Sequence, residues 1–378
     1  MMKFIIFRNP QQWILALLFL LTILASKSLS APPDQPINPW TLRNMMGRGV
    51  NMKAALGGKH NWWIKYNPKH GEAIQKAGFN SVRVWFFWAG LNSGSPDYTL
   101  SPAALEDMEN IINDLLNRNL VVVLVPMELG NYGEKNLTTN PSAHKAKYLS
   151  IWKQLADRFR NHSHRLVFDL FNEPHGELGK KELNDWHESV VPIIRKTNPT
   201  RVLIFNGDDW GTASTLKNII IPPEAGQYVM GDFHYYWPMG FTHHGNQAWT
   251  GTVEQKNRVR VEFNKAVAWS KKYDIPVVCT EWGSNNIRSL SEREAYHLFI
   301  RDELLVRGFS YQQYAFSDGQ FKMYDGFKHQ WVYPTLRDIA VAGDASWEVS
   351  ASKPDHRPKW KQYLANLRFD FLFKYLFF

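Results

Sequence analysis

From about Trp40 onward, short apolar runs of strand length alternate with longer stretches in which apolar residues recur with helical period. This alternation is expected when parallel strands are joined by crossover helices. The predicted strands are Gly49–Met52, Ser81–Phe87, Leu120–Val125, Leu166–Leu170, Val202–Phe205, Val229–His234, Pro276–Thr280 and Gly308–Phe316. The predicted helices are Glu72–Ala77, Ala103–Asn117, Ala143–Phe159, Leu183–Arg195, Val253–Lys272 and Glu292–Leu305. The link after Val202–Phe205 has no clear helical period.

Strand and helix units repeated eight times over about 300 residues predict an α/β fold with a single closed (β/α)8 TIM barrel, which we place at residues 40–345. An open, doubly wound sheet is the competing architecture. No Gly-x-Gly-x-x-Gly motif opens the first unit, and this argues against the dinucleotide-binding version of that sheet.

The two ends of the chain depart from this alternation. Residues 1–31 combine a basic start, an apolar stretch and small residues near Ala31, which is the pattern of a secretory signal peptide. The apolar stretch is shorter than the about 20 residues that span a bilayer, so cleavage is favoured over a retained anchor. The Pro-rich residues 32–39 are predicted to be a linker, and residues 346–378 a C-terminal extension with a helix packed on the barrel. A surface-adhering apolar patch is the alternative for that extension.

Composition narrows the possible partners. The chain has 378 residues, 44% of them hydrophobic, and a formal net charge of +9. Lys and Arg are scattered along the sequence and do not form blocks, so we expect no nucleic-acid partner. The single cysteine, Cys279, lies in an apolar run and is expected to be a buried thiol that does not act as a nucleophile.

Two glutamates each follow a predicted buried strand. Glu173 lies in Asn172-Glu173-Pro174 and Glu281 in Thr280-Glu281-Trp282. Because the carboxyl ends of all barrel strands meet at one mouth, the two carboxylates can converge on one bond. The structural alternatives are that Asn172 caps a helix with Glu173 in its first turn, and that Glu281 is an acidic residue at a strand-to-helix turn.

Paired carboxylates are what acetal hydrolysis requires. One protonates the leaving oxygen and the other attacks the anomeric carbon, which is possible without an intervening water when they lie about 5 Å apart. The pair therefore predicts a retaining glycosidase.

Three further polar residues occupy predicted strands or their ends. Arg83 lies in the middle of an apolar run, where a guanidinium needs a carboxylate, and Glu281 is the candidate partner. His234 and Tyr236 are two residues apart and so share one face of their strand. A histidine in a strand is ordinarily a hydrogen-bonded core group, and only its position beside the glutamates suggests a function.

With these residues in place, the sequence resembles glycoside hydrolase family 5, the cellulase family A group of the retaining (β/α)8 glycosidases, over roughly residues 40–342. The resemblance implies that Glu173 is the acid/base, Glu281 the nucleophile and Asn172 the residue that binds the sugar 2-hydroxyl. It further implies that Arg83 keeps the nucleophile ionised, and that His234 and Tyr236 form the His-x-Tyr pair around it.

Two positions depart from the family pattern. Where the family often has a histidine after the third strand, this chain has Met127 or Glu128. Where it usually has a tryptophan after the eighth strand, this chain offers Tyr314 or Phe316, and we take Tyr314 as the substrate-binding candidate. Both positions shape the subsite of the cleaved sugar, so they leave the identity of that sugar open.

Tryptophans near the predicted strand ends are candidates for stacking on sugar rings, each contributing on the order of 1 kcal/mol. They are Trp62, Trp63, Trp88, Trp210, Trp237 and Trp282, with Trp210 and Trp282 the strongest. Packing into or over the core is the alternative for any one of them. No His, Cys and Asp cluster has metal-ligand spacing, so we predict no metal and no cofactor.

The sequence thus predicts a secreted endo-β-glycosidase, extracellular or periplasmic and monomeric, that acts on a β-linked polysaccharide or oligosaccharide, with β-1,4-glucan as the first choice. A β-mannanase, another β-glucanase and a carbohydrate-binding barrel without activity are the alternatives. An ester or phosphate hydrolase is disfavoured because the chain has no Gly-x-Ser-x-Gly elbow and no phosphate-binding glycine loop. We expect no membrane insertion after signal cleavage.

Overall fold

The computed structural model describes residues 35–59, 63–127 and 140–343. Eight parallel strands form a closed barrel in sequence order, and the last strand pairs with the first. The strands are β1 (Arg48–Lys53), β2 (Ser81–Phe87), β3 (Val121–Met127), β4 (Leu166–Asp169), β5 (Leu203–Asn206), β6 (Val229–Tyr235), β7 (Val277–Trp282) and β8 (Ser310–Gln313). The closure confirms the predicted (β/α)8 barrel and excludes the open sheet.

Helices connect most of the strands on the outside of the barrel. They are α1 (Pro39–Met46), α2 (Pro68–Ala77), α3 (Pro102–Asn117), α4 (Pro141–Arg158), α5 (Lys180–Arg195), α6 (Val253–Tyr273), α7 (Leu290–Leu305) and α8 (Pro334–Val341). Several begin with an Asn or Ser cap followed by proline, a combination that satisfies free amides and fixes the first turn. All six predicted helices are present, with ends shifted by a few residues.

The link between β5 and β6 differs from the others. It contains short 3-10 segments, Ala213–Asn218 and Pro223–Ala225, where the sequence showed no clear helical period. Gly231 in β6 allows Trp269 of α6 to approach closely, since a Cβ at Gly231 would lie 2.6 Å from the indole. The outer face of β6 is therefore covered by α6 and the first 3-10 segment.

The barrel interior has two layers that differ in chemistry. The lower layer is apolar and is closed by two side chains of α1; it consists of Leu42, Met46, Val121, Val123, Val167, Val202, Ile204, Met230 and Val278. The upper layer is polar although it is equally buried; it consists of Arg83, Asp169, Asn206, Asp232 and Thr280. On each of the strands β4, β5, β6 and β7, a residue of the upper layer follows a residue of the lower layer by two positions. Both side chains therefore point into the barrel, one above the other.

The predicted signal peptide at residues 1–31 and the C-terminal extension at residues 346–378 lie outside the described residues. α1 begins at Pro39, the last residue of the predicted linker. Among the helices that the structure describes, none combines the length and the apolarity needed to cross a bilayer.

Candidate active site

Glu173 and Glu281 face each other at the mouth of the barrel. Glu281 belongs to β7, and Glu173 follows β4 in a left-handed backbone conformation with φ of +49°. The Glu173 side chain is 24% exposed and the Glu281 side chain 4%. One oxygen of each carboxylate and one ring nitrogen of His234 lie within 4.8 Å of one another. Such a trio could also bind a cation, although the guanidinium of Arg83 lies against Glu281 and opposes a second positive charge.

Arg83 links the two carboxylate-bearing strands from below. Its side chain is fully buried, and Nη1 donates to Glu281 Oε1 at 2.6 Å. Nε donates to Asp169 Oδ2 at 2.8 Å, and Nη2 donates to Asn172 Oδ1 at 2.9 Å. A fourth contact reaches Asn51 Oδ1 at 3.2 Å. The planar fork of an arginine suits this network because it fixes several acceptors at once.

A second set of contacts to the two carboxylates comes from β6 and the residue just after it. His234 Nδ1 lies 2.9 Å from Glu173 Oε1, and its Nε2 lies 3.0 Å from Thr280 Oγ1. The hydroxyl of Tyr236, just past β6, donates to Glu281 Oε2 at 2.8 Å. The register between β6 and β7 shifts at His234, which places the histidine opposite Glu281. One element thus contacts both carboxylates.

Two buried aspartates of the upper layer were missed in the sequence. Asp169 is bonded to Arg83, and Asp232 accepts from Asn206 Nδ2 at 2.6 Å and lies 3.5 Å from His234 Nε2. An acidic residue inside each apolar strand was the available signal, the same one that singled out Arg83. Burial raises the pKa of Asp169 to about 7 although Arg83 lowers it. Burial also raises the pKa of Asp232, but the hydrogen bond and charge of His234 outweigh it and leave the pKa below the ordinary value.

The carboxylates around His234 determine its charge. Burial lowers the pKa of His234, but the charge of Glu281 and the hydrogen bonds to Asp232 and Glu173 raise it well above the ordinary value. The imidazole is therefore protonated at neutral pH, and both of its ring nitrogens donate. His234 is a fixed positive charge between the two glutamates.

The two glutamates influence each other's titration. Burial raises the pKa of Glu173, but the hydrogen bond and charge of His234 and the charge of Arg83 bring it below the ordinary value. Burial raises the pKa of Glu281, the charge of Glu173 adds to this, and His234, Arg83 and Tyr236 offset it only in part. The two carboxyl groups therefore compete for one proton. By these shifts Glu281 has the higher pKa, so without a substrate it binds the proton before Glu173 does.

Tyr314 lies beside the paired carboxylates. Its ring is 9% exposed, 5.4 Å from the ring of Trp85 and 6.4 Å from that of Tyr236. The aromatic and apolar residues around it form the mouth cluster, which consists of Trp85, Phe87, Val125, Met127, Tyr314 and Ala315. Met127 is buried in this cluster, whereas Glu128, the other candidate at that strand end, lies outside the described residues.

Trp210 is the exposed aromatic side chain next to Glu173. It is 49% exposed, and its backbone amide donates to the carbonyl of Pro174 at 2.8 Å. Its indole stacks on the imidazole of His175, with ring centroids 3.6 Å apart and planes inclined by 7°. His175 Nδ1 in turn lies 2.6 Å from the backbone carbonyl of Glu173. The Trp210 ring is thereby connected, through His175 and Pro174, to the loop that carries Glu173.

The structure corrects the prediction that Trp282 stacks on substrate. Trp282 is fully buried and packs against His297 of α7 at 5.2 Å. The pairing of β7 with β8 shifts register after Cys279, so that Thr280 and Glu281 both contact interior groups and Trp282 turns outward. The tryptophan therefore stabilises the packing between barrel and helix and cannot reach a sugar.

The other tryptophan candidates divide by exposure. Trp88 is 2% exposed and is a core residue, so the stacking prediction was wrong for it as well. Trp63 and Trp237 are partly buried, Trp63 next to the Phe87 ring at 4.2 Å and Trp237 under the guanidinium of Arg258 at 4.8 Å. Trp62 lies outside the described residues.

A closed (β/α)8 barrel with two carboxyl groups facing each other across its mouth is the arrangement of a glycoside hydrolase. The sequence profile of Cellulase (glycosyl hydrolase family 5) matches residues 44–318. The chain belongs to this family.

Individual relatives agree with the family assignment. Endoglucanase H of Acetivibrio thermocellus is 30% identical over 286 residues, covering 74% of this chain and 31% of that protein. A crystal structure of a hyperthermophilic endo-β-1,4-glucanase in complex with substrate is 25% identical, with a TM-score of 0.74, covering 81% of this chain and 99% of that one. Cel5A of Thermotoga maritima in complex with mannotriose is 27% identical, with a TM-score of 0.73, covering 80% and 100%. The chain thus spans about a third of the length of Endoglucanase H.

Proposed function

We propose that this protein is a retaining endo-β-glycosidase that hydrolyses a β-1,4-linked glucan by double displacement, with Glu281 as nucleophile and Glu173 as acid/base. The observation that carries the proposal is the approach of the two carboxylates, whose oxygens lie within 4.8 Å. Retaining enzymes have carboxyl groups about 5 Å apart, whereas inverting enzymes leave roughly 6.5–9.5 Å for a water. The proximity therefore favours direct attack.

In the first step, a Glu281 oxygen attacks the anomeric carbon and the bond to the leaving oxygen breaks. The proton of Glu173 passes to that oxygen, which departs as an alcohol of the shortened chain. In the second step, Glu173 accepts a proton from water, and the water oxygen replaces Glu281 at the anomeric carbon. Two inversions return the original configuration.

The division of roles follows the hydrogen bonds, although the pKa shifts place the first proton on Glu281. Arg83 and Tyr236 donate to the two oxygens of Glu281 and stay in place when a sugar enters. Glu173 is 24% exposed, so a sugar ring removes its water and raises its pKa. The donors to Glu281 are unchanged on binding whereas the solvation of Glu173 is lost, so the proton moves from Glu281 to Glu173 when the sugar binds.

The residues around the pair position it. Arg83 holds Glu281 ionised, and its Nη2 also donates to Asn172 Oδ1. The Asn172 side-chain NH2 has no acceptor among the described residues, so it can donate to a sugar 2-hydroxyl. His234 orients Glu173 through Nδ1. Tyr314 and Trp210 contribute aromatic surfaces on either side of the glutamates.

β-Mannan is the second candidate substrate. It is favoured by the similarity to Cel5A, whose structure was obtained with mannotriose, while Tyr314 and Met127 leave the identity of the cleaved sugar open. A panel of glucans, mannans and xyloglucan, with products sized, separates these substrates. The pattern of residues 1–31 supports export of the enzyme, which we propose acts as a monomer. A binding barrel without activity is the outcome if no polymer and no activated aryl glycoside is cleaved.

The roles of the two glutamates can be separated with azide. We expect Glu281→Ala to lower kcat by at least about 10⁴-fold, and azide to restore turnover of an aryl β-cellobioside as the glycosyl azide of inverted configuration. For Glu173→Ala we expect the azide product with retained configuration, because Glu281 still forms the intermediate. Product anomers are read by NMR. The opposite pairing of variant and product would reverse the two roles.

A further inference from the structure

Lys53, the last residue of β1, lies against the aromatic rings of the mouth cluster, with its side chain only 13% exposed. Its ammonium nitrogen lies 4.0 Å from the centroid of the Trp85 ring and 5.1 Å from that of Tyr314. The partner of this charge is Asp318, in the loop after β8, at 2.8 Å. A lysine that is mostly removed from water needs such partners, so the loop and the strand are held together here.

The pair retains hydrogen-bonding capacity toward the mouth. Lys53 has three donors, and Asp318 uses Oδ2 both for Lys53 and for the hydroxyl of Tyr314. Within the parts of the chain that the structure describes, no hydrogen bond reaches Asp318 Oδ1. The Asp318 side chain is 17% exposed, so a ligand in the mouth can reach it.

The pair lies on a defined side of the reacting bond. In an eight-stranded barrel, β1 lies opposite β5, and Trp210 follows β5 beside the acid/base Glu173. Because Glu173 protonates the leaving oxygen, the leaving part of the chain occupies the Trp210 side. The sugar that stays attached to Glu281, and the rings that precede it, therefore extend toward β1 and Lys53.

We propose that Lys53 and Asp318 form a binding site for neighbouring hydroxyl groups of a neutral sugar ring on the glycone side of the cleaved bond, an inference that rests on the function proposed above. Lys53 donates to one hydroxyl and Asp318 Oδ1 accepts from the next. Trp85 and Tyr314 fix the lysine so that little rotamer freedom is lost on binding. Because the two charges of the pair cancel, the site offers a donor and an acceptor without a net charge that would favour an acidic sugar.

The test compares Lys53→Met and Asp318→Asn with the wild type on an aryl β-cellobioside and on its analogues that each lack one hydroxyl of the non-reducing ring. We expect each variant to lower kcat/KM about 10- to 100-fold on the parent, mainly through KM, because hydrogen bonds to charged groups are strong. On the analogue that lacks the bound hydroxyl we expect the variant and the wild type to differ by less than about twofold. An unchanged kcat/KM on the parent, or an equal loss on every analogue, overturns the proposal.

Lys322→Met is the matched control, because Lys322 lies in the same loop, is 40% exposed and approaches Asp325 only at 3.9 Å. It should leave kcat/KM unchanged. Circular dichroism checks folding, and Lys53→Gln, which keeps a donor, replaces Lys53→Met if that variant unfolds. If the wild type cleaves no glycoside, the proposed function has failed, whereas calorimetric binding of cellotetraose to wild type and Lys53→Met still tests the site. Equal affinities would then overturn it.

Discussion

The lower and upper layers of the barrel interior are equally buried, but the side chains of the lower layer are apolar and those of the upper layer are polar or charged. On β4, β5 and β6 the sequence passes from an apolar to a polar inward residue in two positions: Val167 and Asp169, Ile204 and Asn206, Met230 and Asp232. Apolar side chains stabilise additively by leaving water. Buried charges stabilise only in complete hydrogen-bonded sets, because each one left alone bears its full desolvation cost. The two layers should therefore respond differently to the same kind of substitution.

Arg83→Met breaks the upper layer most severely. It leaves Asp169 and Glu281 without their shared cation, and we expect it to lower kcat/KM about 100- to 1000-fold and the free energy of unfolding by about 3–5 kcal/mol. Kinetics on an aryl cellobioside and urea unfolding measure the two losses.

Arg201→Met is the matched control for that substitution. Arg201 is also a buried arginine, but it donates to backbone carbonyls, among them that of Leu166 at 2.7 Å at the start of β4. Stability should fall and kcat/KM of the folded fraction should not. Equal kinetic losses in both variants would contradict the separation of layers.

Ile204→Ala breaks the lower layer. Ile204 is fully buried, and the truncation should lower the free energy of unfolding by about 2–5 kcal/mol while the kinetics of the folded enzyme stay unchanged. Ile204→Val, which removes a single methyl group, should cost about 0.5–1.5 kcal/mol. A kinetic loss in either variant below its melting temperature would show that the lower layer also positions the site.

The smallest expected effect comes from the charge of His234, which makes the free energy of unfolding depend on pH. Its folded pKa lies well above the ordinary value of 6.5, so the folded state binds its proton more tightly than the unfolded state does. The stability that this contributes is complete below about 6.5 and is lost as pH rises through the folded pKa. We expect urea unfolding above pH 7 to show a shallower decline in His234→Asn than in the wild type.

The control for this measurement is His329→Asn, at an exposed histidine with φ of +53°, a conformation that asparagine tolerates. It should keep the wild-type slope. If His234→Asn also keeps that slope, the imidazole is neutral in the fold and cannot be the fixed charge between the glutamates.

The fold is predictable because each strand and most helices show their own hydrophobic period. The link between β5 and β6 shows no such period, and its sequence predicts no helix. Asp169 was visible as an acid inside an apolar strand, by the same argument that selected Arg83. The outward turn of Trp282 depends on a register shift in β7, which no local pattern shows. The surroundings of Lys53 depend on β8 closing against β1, so its partner Asp318 could not be inferred from neighbours in sequence.

The left-handed backbone of Glu173 has an evolutionary consequence. At φ of +49° a side chain with a Cβ is disfavoured by about 1–2 kcal/mol, whereas glycine adopts this conformation freely. With Glu173 as the proposed acid/base, selection for hydrolysis maintains a residue that selection for folding alone would replace. In a duplicated copy that is no longer selected for hydrolysis, drift should favour glycine at this position. A relative with glycine there is therefore expected to have lost catalytic activity.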